Sequence, residues 1–587
     1  DGVTLGAATT LSASSVTTGS TFNASTYAAT LTTDAIALGG NVSGSGALTI
    51  QPKTAATTIA IGSAATGDLK LDDTELGYLV DGFSSITIGG TSGTGAIAVA
   101  YTTPYTFTDP LTIQSKSTSG GGAITATSAL NTGTNSLTIS TYGAVSVAAI
   151  TSGALAITGN GITLNGDVTT SGTQTYTGAV TLGADVTLAS TGNSSAGNAI
   201  SLSSTVNGAK AFTVNAGAGA ITLSGAIGAT TNLTSLSLTT SHATGITLSG
   251  NVTTTGSQAY NGKTVLAATP ITLTTTNSDV SFGGTLNGNA ANRALTIAAG
   301  TGNATFTGAV GGGTALGAVT ITAATTTNSS TWVGSSTLGI TGNAVINGAI
   351  SGITSLSISG TTSLGANVTT TAVGGQTYTG AVTITGSSVT LDSTSGNGPV
   401  LFSSTVNSAA NVGNTASAAN PLTVSAGSGN VTFTGVVGGA TNGALGALTV
   451  NTTGTTTFSA GITAASVTTN TGGTTAINGG TITTTGAQTY NDAVTLGAAT
   501  TLTSSGSGNI NLASTVNGAQ TLTINTAGTT TFGGIVGGTT ALTSVTTDAA
   551  GSVAINGGAI TTTGAQTYND GVTLGAATTL SASSVTT

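Results

Sequence analysis

The chain has 587 residues, of which only 4% are charged, and it contains 91 glycines and carries a formal net charge of −9. Globular proteins average about 25% charged residues, so this composition argues against an ordinary cytosolic enzyme. Five lysines and one arginine provide no basic stripe for phosphates, which predicts that the chain binds no nucleic acid. No apolar run approaches roughly 18 residues, so we predict no transmembrane segment.

The first predicted strands lie in DGVTLGAATTLSASSVTT, residues 1–18, where apolar and polar residues alternate. Alternation with a period of two is typical of half-buried strands. The same 18 residues recur unchanged at 570–587, an offset of 569. We therefore predict either a longer parent protein tiled by a super-repeat of this length, or a segment drawn with one overlap between units.

Residues 66–83, TGDLKLDDTELGYLVDGF, form an acidic insert that interrupts the strand pattern. It holds a third of the carboxylates of the chain, namely Asp68, Asp72, Asp73, Glu75 and Asp81. We predict one short helix near residues 72–81, with Asp72 or Asp73 as its N-cap and Gly82 after its end. The residues predicted to pack on the neighbouring coils are Leu76, Leu79 and Val80. The alternative is a calcium site at Asp72, Asp73 and Glu75, although no ligand loop of the known spacing is present.

The same region carries a family resemblance. The run LKLDDTELGYLVDGFSSITIGG, followed by GTGAIAV and FTDPLTI, resembles a module of giant bacterial filamentous-haemagglutinin-like, β-strand-repeat surface proteins. The resemblance covers roughly residues 55–120, and the rest of the chain is similar only in style. It implies secretion as a long right-handed β-helix with a role in adhesion or surface coating, and it brings no catalytic residues.

A phrase built around Gln-Thr-Tyr recurs five times, in units that begin near residues 167, 251, 367, 481 and 560. Its tyrosines are Tyr176, Tyr260, Tyr378, Tyr490 and Tyr568. They are 84, 118, 112 and 78 residues apart. Such variable spacing is typical of stacked coils, because a solenoid can lose one coil and close again. The tyrosines could form an exposed ladder that stacks on sugars, but local hydrogen bonding by Gln and Thr favours packing over a corner.

Two further phrases follow the tyrosine, STVNGA-like and TFTGAVGG-like, and each centres on one apolar residue. These residues are Val206, Leu286, Val406 and Val516 for the first phrase, and Leu223, Phe306, Phe433 and Phe532 for the second. Asn-Gly pairs, which tolerate a positive φ, predict corners. Among them are the pairs that begin at Asn165, Asn207, Asn261, Asn287, Asn347, Asn442, Asn478, Asn517 and Asn556.

These patterns predict an all-β fold, a parallel β-helix (β-solenoid) of stacked coils that forms one continuous array over residues 1–587, and the family resemblance implies that the β-helix is right-handed. Asn-Gly also marks antiparallel hairpins, so a string of immunoglobulin-like sandwiches is the competing interpretation. Sandwiches need large aromatic cores and regular units near 100 residues. The single tryptophan, Trp332, and the irregular unit lengths favour the solenoid.

Residues that could carry chemistry are few. The only histidine, His242, lies in LTTSHATGITL and is predicted to be an exposed corner residue. The absence of cysteine argues against zinc and haem sites. Solenoid glycosidases use clustered carboxylates, whereas only Asp279 and Asp392 lie between Asp185 and Asp492. We predict that the chain is not an enzyme and has no catalytic, cofactor-binding or metal-binding residues, and no cofactor.

Because the family resemblance implies secretion, we predict a secreted, extracellular protein at the cell surface. The leading hypothesis is a structural or adhesive rod or filament segment, such as a surface fibre, sheath, surface layer or adhesin shaft. Its predicted partners are further copies of itself, through self-association or end-to-end continuation, and cell-surface glycans. The alternative is a glycan-binding or ice-binding repeat module that uses a Thr-rich flat face, although the Thr-x-Thr spacing along the sequence is irregular.

Overall fold

A computed structural model describes residues 2–190, 197–409 and 419–587. The structure is nearly all β, and consecutive coils stack into a β-solenoid of about 27 turns. All the ladders between described strands are parallel, as in the pairing of Ile113 with Ile139 and of Ile139 with Ile157. The predicted all-β solenoid is confirmed. Immunoglobulin-like sandwiches are excluded, since their sheets are antiparallel.

The chain divides into two compact units, Asp1–Asn289 and Ala290–Thr587. In the first unit the described strands of five or more residues are Ala47–Gln51, Leu155–Leu164, Gln174–Leu182, Ala211–Asn215 and Ser235–Thr239. In the second unit they are Arg293–Ala298, Leu316–Asn328, Thr337–Ile346, Ile350–Ile358, Val368–Tyr378, Leu422–Gly427, Leu445–Thr452, Ile462–Thr469, Thr500–Ser504 and Thr521–Thr526. The other described strands have two to four residues.

Each strand buries alternate residues. In Leu137–Ser140 the leucine and isoleucine are buried, while Thr138 and Ser140 are half-buried. β-branched Val, Ile and Thr suit this arrangement because their stiff side chains pack well on a pleated surface. Parallel pairing in register then places each apolar residue above another, so the core is a set of apolar columns between successive coils.

One face of the first unit runs through thirteen successive coils, and we name its first eleven strands the long face; the ladder continues into Thr264–Leu266 and Leu286–Gly288. The strands of the long face are Thr9–Ser12, Ala29–Thr32, Ala47–Gln51, Ser85–Ile88, Leu111–Gln114, Leu137–Ser140, Leu155–Leu164, Gln174–Leu182, Ile200–Leu202, Ile221–Leu223 and Ile246–Leu248. Each strand pairs with the next in this order. The long face is therefore one uninterrupted parallel sheet.

The chain turns between faces at glycine and asparagine. Gly178 bends Gln174–Leu182 from one face to the next with a φ of 139°, and a Cβ there would lie 2.1 Å from the Gly159 carbonyl oxygen. The Asn-Gly pairs lie mostly at strand ends, as predicted. Asn165, Asn347, Asn478 and Asn556 directly follow a strand, Asn207, Asn261 and Asn517 end one, Asn287 lies in Leu286–Gly288, and Asn442 lies in a turn.

The duplicated 18-residue segment forms strands at matching positions in both places. Near the start its strands are Val3–Thr4, Thr9–Ser12 and Val16–Thr18, and near the end they are Gly571–Leu574, Thr579–Ser581 and Ser584–Thr586. The first copy pairs with the coil that follows it, and the second pairs with the coil that precedes it. Asp1, the first residue of the segment, lies outside the described residues.

Candidate functional site

The recurrent Gln-x-Tyr pairs are buried inside the coils. The pairs are Gln174 and Tyr176, Gln258 and Tyr260, Gln376 and Tyr378, Gln488 and Tyr490, and Gln566 and Tyr568. In every pair the tyrosine hydroxyl donates a hydrogen bond to the glutamine Oε1 at 2.8 to 3.0 Å. The rings have almost no exposed surface. The exposed sugar-stacking ladder is therefore wrong, and the rings fill the core rather than cover a corner.

The glutamine amide ties its strand to neighbouring backbone. Gln488 Nε2 donates to the carbonyl oxygens of Thr503 at 2.9 Å and Ile482 at 3.2 Å, and to Thr484 Oγ1 at 3.3 Å. Burying an amide without partners costs free energy, so this full set of contacts is what makes a buried glutamine tolerable. Local hydrogen bonding by Gln, the basis of the sequence interpretation, is confirmed.

Aromatic rings continue the tyrosine columns from coil to coil. In the second unit Tyr378, Phe402 and Phe433 stack with ring centroids 5.3 and 4.8 Å apart and planes within 12°, and Phe458 follows at 5.6 Å. Burial raises the pKa of Tyr378 far above its usual value. The phenol therefore stays protonated and keeps donating to the glutamine.

The acidic insert contains the predicted helix, in a shorter form, at Asp73–Gly77. Asp72 is the N-cap, and its Oδ1 accepts from the backbone N–H groups of Thr74 and Glu75 at 2.9 Å. Glu75 Oε2 accepts from the Asp72 N–H at 2.9 Å, which completes a capping box. The N-cap prediction at Asp72 is confirmed.

The helix ends at Gly77, not near residue 81. Beyond the C-cap Tyr78, Leu79 forms a parallel bridge with Val42, and the Val80 N–H donates to the Val42 carbonyl at 3.0 Å. The sheet edge at Val42 competes for these backbone groups, and ladder pairing replaces the helical turn. Leu79 is buried as predicted, whereas Val80 is only half-buried.

The three carboxylates of the alternative calcium site face backbone donors. Asp73 Oδ1 accepts from the Ser63 N–H at 2.7 Å, and its Oδ2 accepts from the Thr102 N–H at 2.9 Å and from the Thr102 hydroxyl. These hydrogen bonds, with the Thr102 hydroxyl first, lower the pKa of Asp73 to about 2. Glu75 Oε1 accepts from the Leu38 N–H at 2.8 Å. In the described ranges no group of three or more His, Asp or Glu side chains could hold a metal ion.

A buried carboxyl lies beside the insert. Asp109 is 3% exposed, and its Oδ1 accepts from the Gly82 N–H at 3.0 Å. Burial, with the neighbouring Asp81 carboxyl as a further cause, raises the pKa of Asp109. Tyr105 lies next to it and donates to the Leu76 carbonyl at 2.7 Å, so this side of the insert is fastened to the coil that follows.

Asp492 is a second buried carboxyl, directly after the fourth Gln-x-Tyr pair. It is 2% exposed, and its Oδ1 accepts from the Gly473 N–H at 2.9 Å while Oδ2 accepts from the Thr475 hydroxyl at 3.3 Å. Burial raises the pKa of Asp492. Asp570 has the same place in the fifth unit and accepts from the Gly551 N–H at 2.8 Å. The burial of these carboxyls was not predicted, because an isolated Asp after Tyr-Asn carries no local pattern that indicates burial.

His242 lies in the loop between the strands Ser235–Thr239 and Ile246–Leu248, at a corner as predicted, but it is half-buried and not exposed. Its Nδ1 accepts from the Thr244 N–H at 3.0 Å. Of the residues described, none belongs to a helix with the length and apolar character needed to cross a membrane.

A column of hydroxyl groups runs along the outer side of the long face. Its members are Thr10, Thr30, Thr49, Thr87, Thr112, Thr138, Thr175, Ser201, Thr222 and Thr247, with Ala156 as the one exception. We call this set the hydroxyl column. Consecutive positions of the column, counting Ala156, are 18 to 38 residues apart in sequence, yet each is paired directly with the next. The spacing of the Thr-x-Thr phrases is irregular along the sequence, as noted above, but it is regular on this face because loops absorb the differences in length.

Parallel stacked coils and internal repeats define this chain as a β-solenoid repeat protein. Comparison with protein-family models, with curated proteins and with solved structures found no match.

Proposed function

We propose that this chain is a structural and adhesive segment of an extracellular filament at the cell surface, such as a fibre, sheath, surface layer or adhesin shaft. The observation that carries the proposal is where the recurrent phrases lie. Their central residues, including Tyr378, Val406 and Phe433, are buried between coils. Repetition in this chain therefore propagates a core from turn to turn, which is what a load-bearing or spacing element requires.

The outer surface supports the same proposal. Outward positions of the strands are mostly Thr and Ser, and only 4% of all residues are charged. Many backbone N–H and C=O groups are used in ladders between coils, so cohesion runs along the stack rather than within one compact core. The proposal includes secretion and association with further copies or with cell-surface glycans.

Cryo-electron microscopy of material shed from the producing cells, with antibody labelling against this chain, tests the proposal. We expect labelled filaments whose diffraction contains a layer line near about 4.8 Å, the spacing of stacked strands. Label confined to isolated particles in the medium or to the cell interior would overturn it.

A further inference from the structure

The core does not use the hydroxyl groups of the hydroxyl column. Its members are half-buried or exposed, and their side chains make no hydrogen bond within the described part of the chain. The eleven strands of the long face contain no Asp, Glu, Lys or Arg. The face therefore presents free donors and acceptors on an uncharged surface.

The spacing of the column is fixed by the ladder. Each step, such as Thr87 to Thr112 or Thr112 to Thr138, is one parallel strand pairing, about 4.8 Å. Threonine is β-branched and stiff at χ1, so the hydroxyls hold similar directions from coil to coil. A partner that uses many of these groups together must repeat with the same step.

We propose that the hydroxyl column is a lateral self-association surface, which binds the same column on a second copy of this chain. A second copy has the required step because it has the same ladder. Each hydroxyl is both donor and acceptor, so a column of hydroxyls is complementary to itself under a two-fold axis. The inference rests on the proposed function, since it describes how filament segments would pack side by side.

The charge and size of the face fit this partner. An uncharged face avoids the like-charge repulsion that two identical charged faces would meet. Ten steps of about 4.8 Å and a strand of about 13 Å give a projected area of roughly 600 Å². Stable complexes bury about 600 to 1,000 Å² on each partner, so the long face reaches the lower end of that range.

The test compares the purified chain with the variant Thr87→Arg/Thr112→Arg by analytical ultracentrifugation. We expect the chain to dimerise, with twice the mass of 55.0 kDa. The variant brings arginines together across the two-fold axis, and we expect its dimer dissociation constant to rise by roughly 100-fold. Circular dichroism and melting temperature should match those of the parent, because both positions face outward.

The matched control is Thr151→Arg/Thr169→Arg. These threonines also pair between adjacent coils and are exposed, but their column continues into Asn131 and Ala189. The control should dimerise like the parent. A parent that stays monomeric at about 100 µM, or a control weakened as much as the column variant, would overturn the inference.

Binding to polysaccharides or ice gives a second arm of the test. If the monomeric parent retains insoluble polysaccharide or shapes ice crystals, and the column variant loses that activity, the column binds that ligand and the self-association inference is wrong. If the self-association inference is wrong but labelled filaments are found on cells, the proposed function still stands. If the chain dimerises in solution but no labelled filaments are found on cells, only the proposed function is rejected.

Discussion

At the scale of residues, the core consists of apolar columns that contain a few hydrogen-bonded polar pairs. Gln174 lies between Leu155 and Ile200 in the ladder, and Tyr176 lies between Ile157 and Leu202. A polar pair is stable there because each partner satisfies the other. The repeated Gln-x-Tyr was evident in the sequence, but its inward direction was not, since Gln is mostly exposed in proteins and Tyr is intermediate.

The Gln488 and Tyr490 hydrogen bond can be measured by a double-mutant cycle. Tyr490→Phe leaves the buried glutamine oxygen without its donor, and we expect a loss of about 1 to 3 kcal/mol in the free energy of unfolding. Gln488→Leu should cost a similar amount, and the double variant less than the sum of the two. Urea unfolding measures all three, with the exposed Tyr142→Phe as a near-neutral control. Strictly additive losses would show that the pair is not coupled.

Asp492 should make stability fall as pH rises. Burial raises its folded-state pKa above the unfolded value of about 3.9, so the carboxylic acid is favoured in the folded chain. The stabilisation of the folded chain by the neutral Asp492 carboxylic acid is complete below the unfolded pKa and is lost as pH rises through the folded pKa. Asp492→Asn keeps an acceptor for Gly473 and does not ionise.

We therefore expect the melting temperature of Asp492→Asn minus that of the parent to increase as pH is raised from about 4 to about 9. Thermal melts across that range measure the difference. Asp167→Asn, an exposed carboxyl that accepts from the Thr187 N–H, is the matched control. A difference that does not change with pH would mean that Asp492 ionises in the folded chain as easily as in the unfolded one.

At the scale of elements, register decides which residues meet. Val400, Val431 and Thr456 form one inner column, and Phe402, Phe433 and Phe458 form the next, although their strands are 25 to 31 residues apart. Sequence periodicity predicted the strands and their inner side, because alternation is a local signal. The N-cap candidates Asp72 and Asp73 located the start of the helix, but its length was overestimated because the competing bridge from Leu79 to Val42 is not local.

We expect Phe433, in the aromatic stack, to contribute strongly to the stability of the second unit. Phe433→Ala removes a ring stacked on one neighbour and close to another, and we expect a loss of about 3 to 5 kcal/mol in the free energy of unfolding. The adjacent outward variant Thr432→Ala should cost less than about 0.5 kcal/mol. Chemical denaturation of both variants provides the comparison, and similar losses would contradict a core carried by the inner columns.

At the scale of the whole molecule, the coil is the unit of change. Each coil contacts mainly its neighbours, so stability is close to a sum over coils and their interfaces. The variable distances between the Gln-x-Tyr units follow from this, because a coil or a loop can be added where both neighbours still pair. The repeat phrases made the solenoid predictable, since the same inward residues recur at each turn.

Removal of one whole coil should be tolerated. Deletion of residues 500–521 joins Ala499 to Leu522, and it leaves Thr481 to pair with Thr523 in place of Thr501. We expect the β circular dichroism of the parent and a melting temperature within about 5 °C. Deletion of residues 500–510, half a turn, shifts the inner residues out of their columns and should abolish the cooperative melt. Equal damage from both deletions would contradict the coil as the unit of stability.

The sequence by itself determined the strands, their alternation, the corners and the fact of repetition, because these depend on residues close together in the chain. The tertiary structure decided which residues share a column. Loops of different length separate Thr49 from Thr87 by 38 residues and Thr138 from Ala156 by 18, yet both pairs are one coil apart. It also decided the burial of Asp109 and Asp492, whose surroundings come from other coils. Long-range register is set by many ladder hydrogen bonds and core contacts together, and no short stretch of sequence contains that information.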